Sequence, residues 1–301
     1  MRELGLGLLT DQEPADYEWI ARRAEKAGID VLSVFHDLLY QPAIGPLLLM
    51  ARVTERVRLG PAALNPFALH PYEIAGQIAF LDRVSGGRAY LGLVKGAWLD
   101  RLGLDDERPL TALREAVEIV TKLLAGDESG VEGERFRLAP GTALAYERER
   151  QRVPLLIGTW GRRTAIWAGT VADELKLGGS ANPELIPVVR DWLGNRDVTI
   201  VTGCVTVVDE DGSWARERAR AAVAPYVEVV AKLDPTLELR PGQEPPFDRF
   251  AIAGTPEEVA ARVKELWAAG AGRVELGTPQ GRTTREGIEL ICSRVLPLLG
   301  R

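Results

Sequence analysis

Short apolar runs alternate with longer amphipathic stretches along this chain, and that rhythm predicts repeated βα units. Residues 4–9, 31–36, 57–64 and 88–94 read as the first four strands. Residues 155–159, 174–177, 199–208 and 273–278 read as the next four. Helical spacing covers 16–27, 42–54, 72–84, 110–124, 162–171, 184–193 and 285–299. Eight units within 301 residues favour closure into a (β/α)8 TIM barrel over an open doubly wound sheet, as one domain spanning 1–301.

Two stretches break the rhythm. A polar excursion follows the fourth helix and runs to about residue 152. After the seventh strand, a helix over 214–232 leads into an inserted loop, 235–250, rich in proline and glycine. A loop of that length without secondary structure is either functional, here a lid on the barrel, or disordered. Thr255-Pro256-Glu257-Glu258 then opens a further helix, with Thr255 as N-cap, Pro256 in the first turn and Glu258 completing a capping box.

In such a barrel the chemistry sits at the C-terminal ends of the strands. Seven strands carry a glycine near that end: Gly7, Gly60, Gly92, Gly158, Gly178, Gly203 and Gly277. They would give a flat ligand a floor, or they relieve crowding inside the barrel. Strand six alternates Glu174, Leu175, Lys176, Leu177, which directs its charged face inward. Glu174 there suits an internal ion pair, whereas Lys176, nearer the mouth, suits an anion. Two segments resemble phosphate cradles at helix starts. Gly158-Thr159-Trp160-Gly161 opens into Arg162-Arg163-Thr164, and Gly178-Gly179-Ser180-Ala181 leads to Asn182 as N-cap and Pro183 at the first helical position. Each alone reads as a capped turn; adjacent, they point to one shared phosphate.

Composition narrows the field. With 37 Lys and Arg against 43 Asp and Glu, the net charge is −6, which argues against a nucleic-acid partner. Cys204 and Cys292 are isolated, so no structural metal site and a reducing compartment are expected. The first residues lack a signal peptide's apolar core, and no apolar run reaches the roughly 18 residues that cross a bilayer, so a cytoplasmic protein without membrane contact is expected. Gly5-Leu6-Gly7 fails as a dinucleotide fingerprint because its glycines lie inside the strand and the third position is Thr10. There is no P-loop. His36 and His70 are the two histidines, and neither accompanies a G-x-S-x-G elbow, which sets hydrolase chemistry aside.

The two cradles, with 172–183 as a whole, closely resemble the coenzyme F420-dependent branch of the bacterial luciferase-like superfamily, which includes methylenetetrahydromethanopterin reductase-like proteins. Residues 59–66 with His70-Pro71, and 85–92, are similar to that family's third- and fourth-strand segments. The resemblance implies a barrel with a non-prolyl cis peptide at strand three, here Ala62–Ala63, backing the deazaflavin ring. Two departures count against a pterin substrate. Where members of this group commonly carry Asp-His at the end of strand two, this chain has His36-Asp37, and where the methanogen reductases carry an acidic residue just after strand four, it has Lys95-Gly96-Ala97-Trp98.

The expected activity is therefore hydride transfer between coenzyme F420 and a small organic substrate. Gly158, Thr159, Trp160, Gly161, Lys176, Gly178, Gly179 and Ser180 would hold the phosphate, and Ala62, Ala63 and Asn65 the ring. His36, Asp37 and Lys95 are the candidate catalytic residues. His36 acts as proton donor or ring contact, or is a satisfied structural histidine. Lys95 meets an anionic substrate or cofactor tail, or is solvated. Two alternatives stay open: an FMN-dependent monooxygenase fed by a flavin reductase, and a flavin-binding barrel without turnover. A homodimer is expected from the family.

Overall fold

Strands buried on both faces read as near-continuous apolar runs, and this is why parallel sheets covered by helices tolerate few polar positions. The computed structural model of the chain describes residues 2–104, 108–240 and 242–301. Its principal strands are β1 (Glu3–Leu8), β2 (Val31–Val34), β3 (Arg58–Pro61), β4 (Leu91–Leu93), β5 (Leu155–Gly158), β6 (Glu174–Gly178), β7 (Thr199–Val208) and β8 (Arg273–Gln280). Between and after them lie α1 (Pro14–Ala27), α2 (Ile44–Ala51), α3 (Pro71–Ser85), α4 (Pro109–Ala125), α5 (Arg162–Ala168), α6 (Leu185–Leu193), α7 (Gly212–Ala231), α8 (Pro256–Ala268) and α9 (Thr284–Leu290).

The chain forms two compact units, one of Met1–Leu8, Trp19–Ser33 and Thr159–Arg301, the other of Leu9–Glu18 and Val34–Gly158. In the first, β1, β8, β7 and β6 lie side by side in parallel, with Glu3 opposite Arg273 and Glu174 opposite Thr199. A short strand, Ala251–Gly254, adds to the far part of β7, pairing with Val205–Val208. In the second, β4 pairs with β5, and β3 meets β4 through bridges at Leu59–Ala89 and Leu64–Leu93.

Several boundaries differ from the sequence expectation. The polar excursion contains a hairpin, Val131–Glu132 with Arg137–Leu138, whose turn is fixed by Glu115 accepting the N–H groups of Glu134, Arg135 and Phe136. The inserted loop holds a 3-10 turn at Phe247–Arg249, and the strand Ala251–Gly254 that follows escaped the periodicity reading because four residues are too few to show a pattern. Thr255 and Glu258 form the expected capping box at α8. The α3 helix ends at Gly86, and Arg88 beyond it donates to Ser85 O, Ala51 O and Thr54 O at and after the ends of α3 and α2, and to Val57 O just before β3.

The glycines near the strand ends divide by what surrounds them. A Cβ at Gly60 would stand 2.3 Å from Tyr90 O, at Gly92 2.1 Å from Pro61 O, and at Gly277 2.4 Å from Cys204 O. These three relieve crowding between strands and form no ligand floor. Gly5 and Gly203 serve a charge instead. Both stand opposite Glu275 on β8, and a Cβ on either would meet its side chain at 3.0 and 3.1 Å.

Glu275 is the centre of a buried polar group. Ser33 Oγ donates to it at 2.6 Å, Arg273 Nε lies 3.0 Å away, and Lys176 Nζ forms a close ion pair with its other oxygen. Arg273, fully buried, also bonds Glu174 at 2.8 Å. The expected internal pairing of Glu174 is thus present. Lys176 is engaged on the inner side as well: its ammonium pairs with Glu275 between the strands. Burial opposes ionisation of Glu275, yet the Lys176 and Arg273 charges and the Ser33 hydroxyl hold its carboxyl below the ordinary value.

Removing one partner of a buried pair leaves an uncompensated charge, which costs about 3–5 kcal/mol. Lys176→Met should lower the free energy of unfolding by that amount in urea titration. A loss under about 1 kcal/mol, the range of an exposed pair, would show that the Lys176–Glu275 contact is not a strong constraint.

Candidate active site

Apart from Gly158, which ends β5 in the second unit, the residues expected to meet the phosphate belong to the first unit. Strand β5 ends at Gly158, and Thr159 N donates to Lys176 O at 3.0 Å, so the loop after it leaves alongside β6. Trp160 Nε1 then donates to Gly178 O at 2.9 Å, tying the loop Thr159-Trp160-Gly161 to Gly178. The two segments singled out by sequence are joined by this one bond. Thr159 Oγ1 accepts Gly161 N at 3.0 Å and closes the turn before α5.

Most amides of these two loops are already bonded within the protein, and a few remain for a ligand. Gly179 N donates to Gly203 O, Ala181 N to Arg249 O, and Asn182 N to Ser180 Oγ, so these are spent. Among the described residues, the N–H groups of Trp160 and Ser180 have no acceptor, nor have those of Arg162, Arg163 and Thr164 in the first turn of α5. With α5 only seven residues long, the case for an anion shifts from a helix dipole to these individual donors. Gly178 is exposed, and a Cβ built on it would meet nothing within 4 Å. It keeps a ligand-facing reading that Gly60, Gly92 and Gly277 lose.

Arg162 and Arg163 were not among the predicted site residues. Both are exposed and lack an ion-pair partner among the described residues. The signal was present in sequence: two adjacent cations directly follow Gly161. Asn182 differs from its expected role. Helix α6 begins at Leu185, and Asn182 Oδ1 accepts Glu184 N at 3.0 Å, capping a turn ahead of the helix. Its buried amide Nδ2 donates instead to Asp234 and Thr236, 52 and 54 residues downstream. No local pattern could have announced those partners.

The residues expected to back the ring belong to the second unit, just beyond β3. The Ala62–Ala63 peptide is cis, at the place the resemblance implied, and Ala62 N donates to Val34 O at 2.8 Å. Leu64 N donates to Gly92 O at 3.0 Å, and Val94 N returns to Leu64 O. Asn65 is buried, and its Oδ1 accepts Ala68 N at 2.8 Å, which fixes the side chain within its own turn. Gly96 approaches Asn65 closely, so the loop carrying exposed Lys95 runs beside it.

His36, two residues beyond β2, accepts Ala43 N on Nδ1 at 3.2 Å, which leaves its proton on Nε2. Burial lowers its pKa from the ordinary 6.5, so the imidazole is neutral at physiological pH. Asp37 beside it is exposed. Neither thiol competes as a nucleophile: burial pushes Cys204 up to about 12 and Cys292 up to about 11. A separate cavity of about 920 Å³, lined by residues including Arg220, Val223, Phe247, Ile252 and Arg262, contains none of the predicted site residues.

Known proteins place this geometry. Over 99% of both chains, the sequence is 27% identical to a 5,10-methylenetetrahydromethanopterin reductase of Archaeoglobus fulgidus. It is 29% identical to an F420-dependent glucose-6-phosphate dehydrogenase of Microbacterium testaceum, over 92% of this chain and 90% of that one. Among solved structures, a coenzyme F420 dependent tetrahydromethanopterin reductase from Methanopyrus kandleri aligns with a TM-score of 0.86 at 25% identity, covering 98% of this chain and 99% of its own. The fold class is therefore the (β/α)8 barrel that the alternation predicts. The family model described as luciferase-like monooxygenase matches residues 2–273, and the chain belongs to that family.

Proposed function

We propose that this chain is a coenzyme F420-dependent oxidoreductase that moves a hydride between the deazaflavin and a small organic substrate. The observation that carries the reading is the Trp160–Gly178 bridge, which joins two loops whose Trp160 and Ser180 amides still lack acceptors. Donors of that kind suit a phosphate, and the Arg162 and Arg163 cations beside them suit its charge. The F420-dependent relatives support the choice of cofactor.

When bound, the deazaflavin supplies the hydride chemistry, and the protein supplies binding and orientation. Trp160, Ser180, Arg162 and Arg163 hold the phosphate, with Gly158, Thr159, Gly161, Gly178 and Gly179 shaping the backbone around it. Ala62, Ala63 and Asn65 back the ring. His36, with Nε2–H as its donor, hydrogen-bonds the substrate oxygen and orients it. Asp37 and Lys95 contact the polar part of the substrate. Lys176 acts only through the loop, by fixing β6 beneath Gly178.

Equilibrium binding separates this reading from the FMN monooxygenase. Titration of the purified protein should show F420 binding much more tightly than FMN at fixed salt, and the reverse order would overturn the proposal. Trp160→Phe keeps the ring but removes the donor to Gly178, and should weaken F420 binding about tenfold, the value of one hydrogen bond. An unchanged Kd would remove the bridge from the site.

His36 makes a second test. Its folded pKa lies below the unfolded value, so the unfolded chain takes up the proton first as pH falls. The contribution is present above about pH 6.5 and is lost as pH drops through that value toward the lower folded one. Urea titrations at pH 7.5 and 5.5 should show a smaller loss of stability for His36→Asn than for the native protein. An equal loss in both would mean the histidine titrates as it does in the unfolded chain.

A further inference from the structure

The inserted segment between β7 and β8 is fastened to the loop after β6. Asp234 and Asn182 are both buried, and Asn182 Nδ2 donates to Asp234 Oδ2 and to Thr236 Oγ1, each at 2.8 Å. From the other end of the segment, Arg249 Nη1 donates to Asn182 Oδ1 at 3.0 Å and to Glu184 at 2.8 Å. The main chain joins in: Ala181 N donates to Arg249 O at 2.8 Å, and Arg262 donates to both Ala181 O and Asp248 O. Ser180 is reached from below, where the Thr202 hydroxyl donates to its carbonyl. Gly179 has a φ of +80°, and the Tyr226 ring covers it, 3.4 Å from where a Cβ would be.

The Ser180 and Ala181 carbonyls and the Asn182 side-chain amide are thus held by residues that come from elsewhere in the first unit. The Ser180 N–H is left without an acceptor within that fixed frame. A segment serving as a swinging lid would be fastened at one end at most. This one is fastened at both, and the side-chain bonds from both ends meet at buried Asn182.

We propose that Asp234 and Arg249 are positioning residues, which clamp Asn182 so that the Gly178–Ser180 backbone keeps the shape that receives the phosphate of the cofactor. The inference rests on the proposed phosphate role of that loop, and extends it by making the inserted segment the determinant of selectivity for a phosphorylated cofactor. Arg249 makes its side-chain contacts to Asn182 and Glu184 through one nitrogen, so a lysine can reproduce them and an alanine cannot.

The experiment compares binding of F420 with binding of the same deazaflavin lacking its phosphate, on the full chain. The native protein should prefer F420. Arg249→Ala should weaken F420 about tenfold, leave the phosphate-free deazaflavin unchanged, and be rescued by Arg249→Lys. The isosteric Asn182→Asp sets a carboxylate against Asp234 and should lose the same selectivity, which keeps the test decisive if Arg249→Ala does not fold. Equal weakening of both ligands, or no change in either variant, would overturn the clamp while leaving the phosphate loop intact. If the native protein does not distinguish the two ligands, the phosphate role of the loop falls, and the clamp with it.

Discussion

A carboxylate buried among strands is tolerated only if its charge is matched and space is made for it, and Glu275 sets that condition for the first unit. Its partners Lys176, Arg273 and Ser33 come from three strands, and its neighbours on the two flanking strands are Gly5 and Gly203, which a larger residue would crowd. The identities of residues on β1, β2, β6, β7 and β8 are therefore set by one ionised group. A fully apolar replacement could be as stable. What the ionic arrangement adds is register: Lys176 can meet Glu275 only if β6 and β8 keep their offset on either side of β7.

That register carries into chemistry because Gly178 lies two residues beyond Lys176. Thr159 N is bonded to the Lys176 carbonyl, and Trp160 to the Gly178 carbonyl, so the end of β6 holds the loop after β5 in place. The result is a pair of loops whose other amides are consumed internally, while those of Trp160 and Ser180 are not. Preorganised donors of this kind need no rearrangement to receive an anion. Just beyond β2 and β3 in the second unit the chain uses backbone rather than charge: a cis peptide at Ala62–Ala63, a self-capped Asn65, and a neutral His36 whose tautomer is set by Ala43.

Much of this was legible in the sequence where the signal is local. Residues 199–208 alternate and extend without interruption, and β7 spans those ten residues. Thr255 and Glu258 announced α8 because a capping box lies within four residues. The cis peptide position came from resemblance to a family, since no periodicity encodes it. What escaped depends on distance along the chain. Lys176 and Glu275 are 99 residues apart, so the ion pair of this inward lysine has no local signal in the sequence. Asn182 before Pro183 has the pattern of a helix cap, yet its side-chain partners Asp234 and Thr236 lie more than 50 residues away. Likewise, a glycine that faces a ligand and one that faces a neighbouring carbonyl are identical in sequence; only packing separated Gly178 from Gly60 and Gly92.

The central claim is that the Trp160 and Ser180 amides are the phosphate site of a deazaflavin oxidoreductase. A crystal structure of the chain with F420 tests it most directly. The account predicts phosphate oxygens within hydrogen-bonding distance of both N–H groups, with Lys176 still paired to Glu275. A phosphate bound elsewhere, or a Lys176 ammonium released from Glu275 to meet it, would contradict the account.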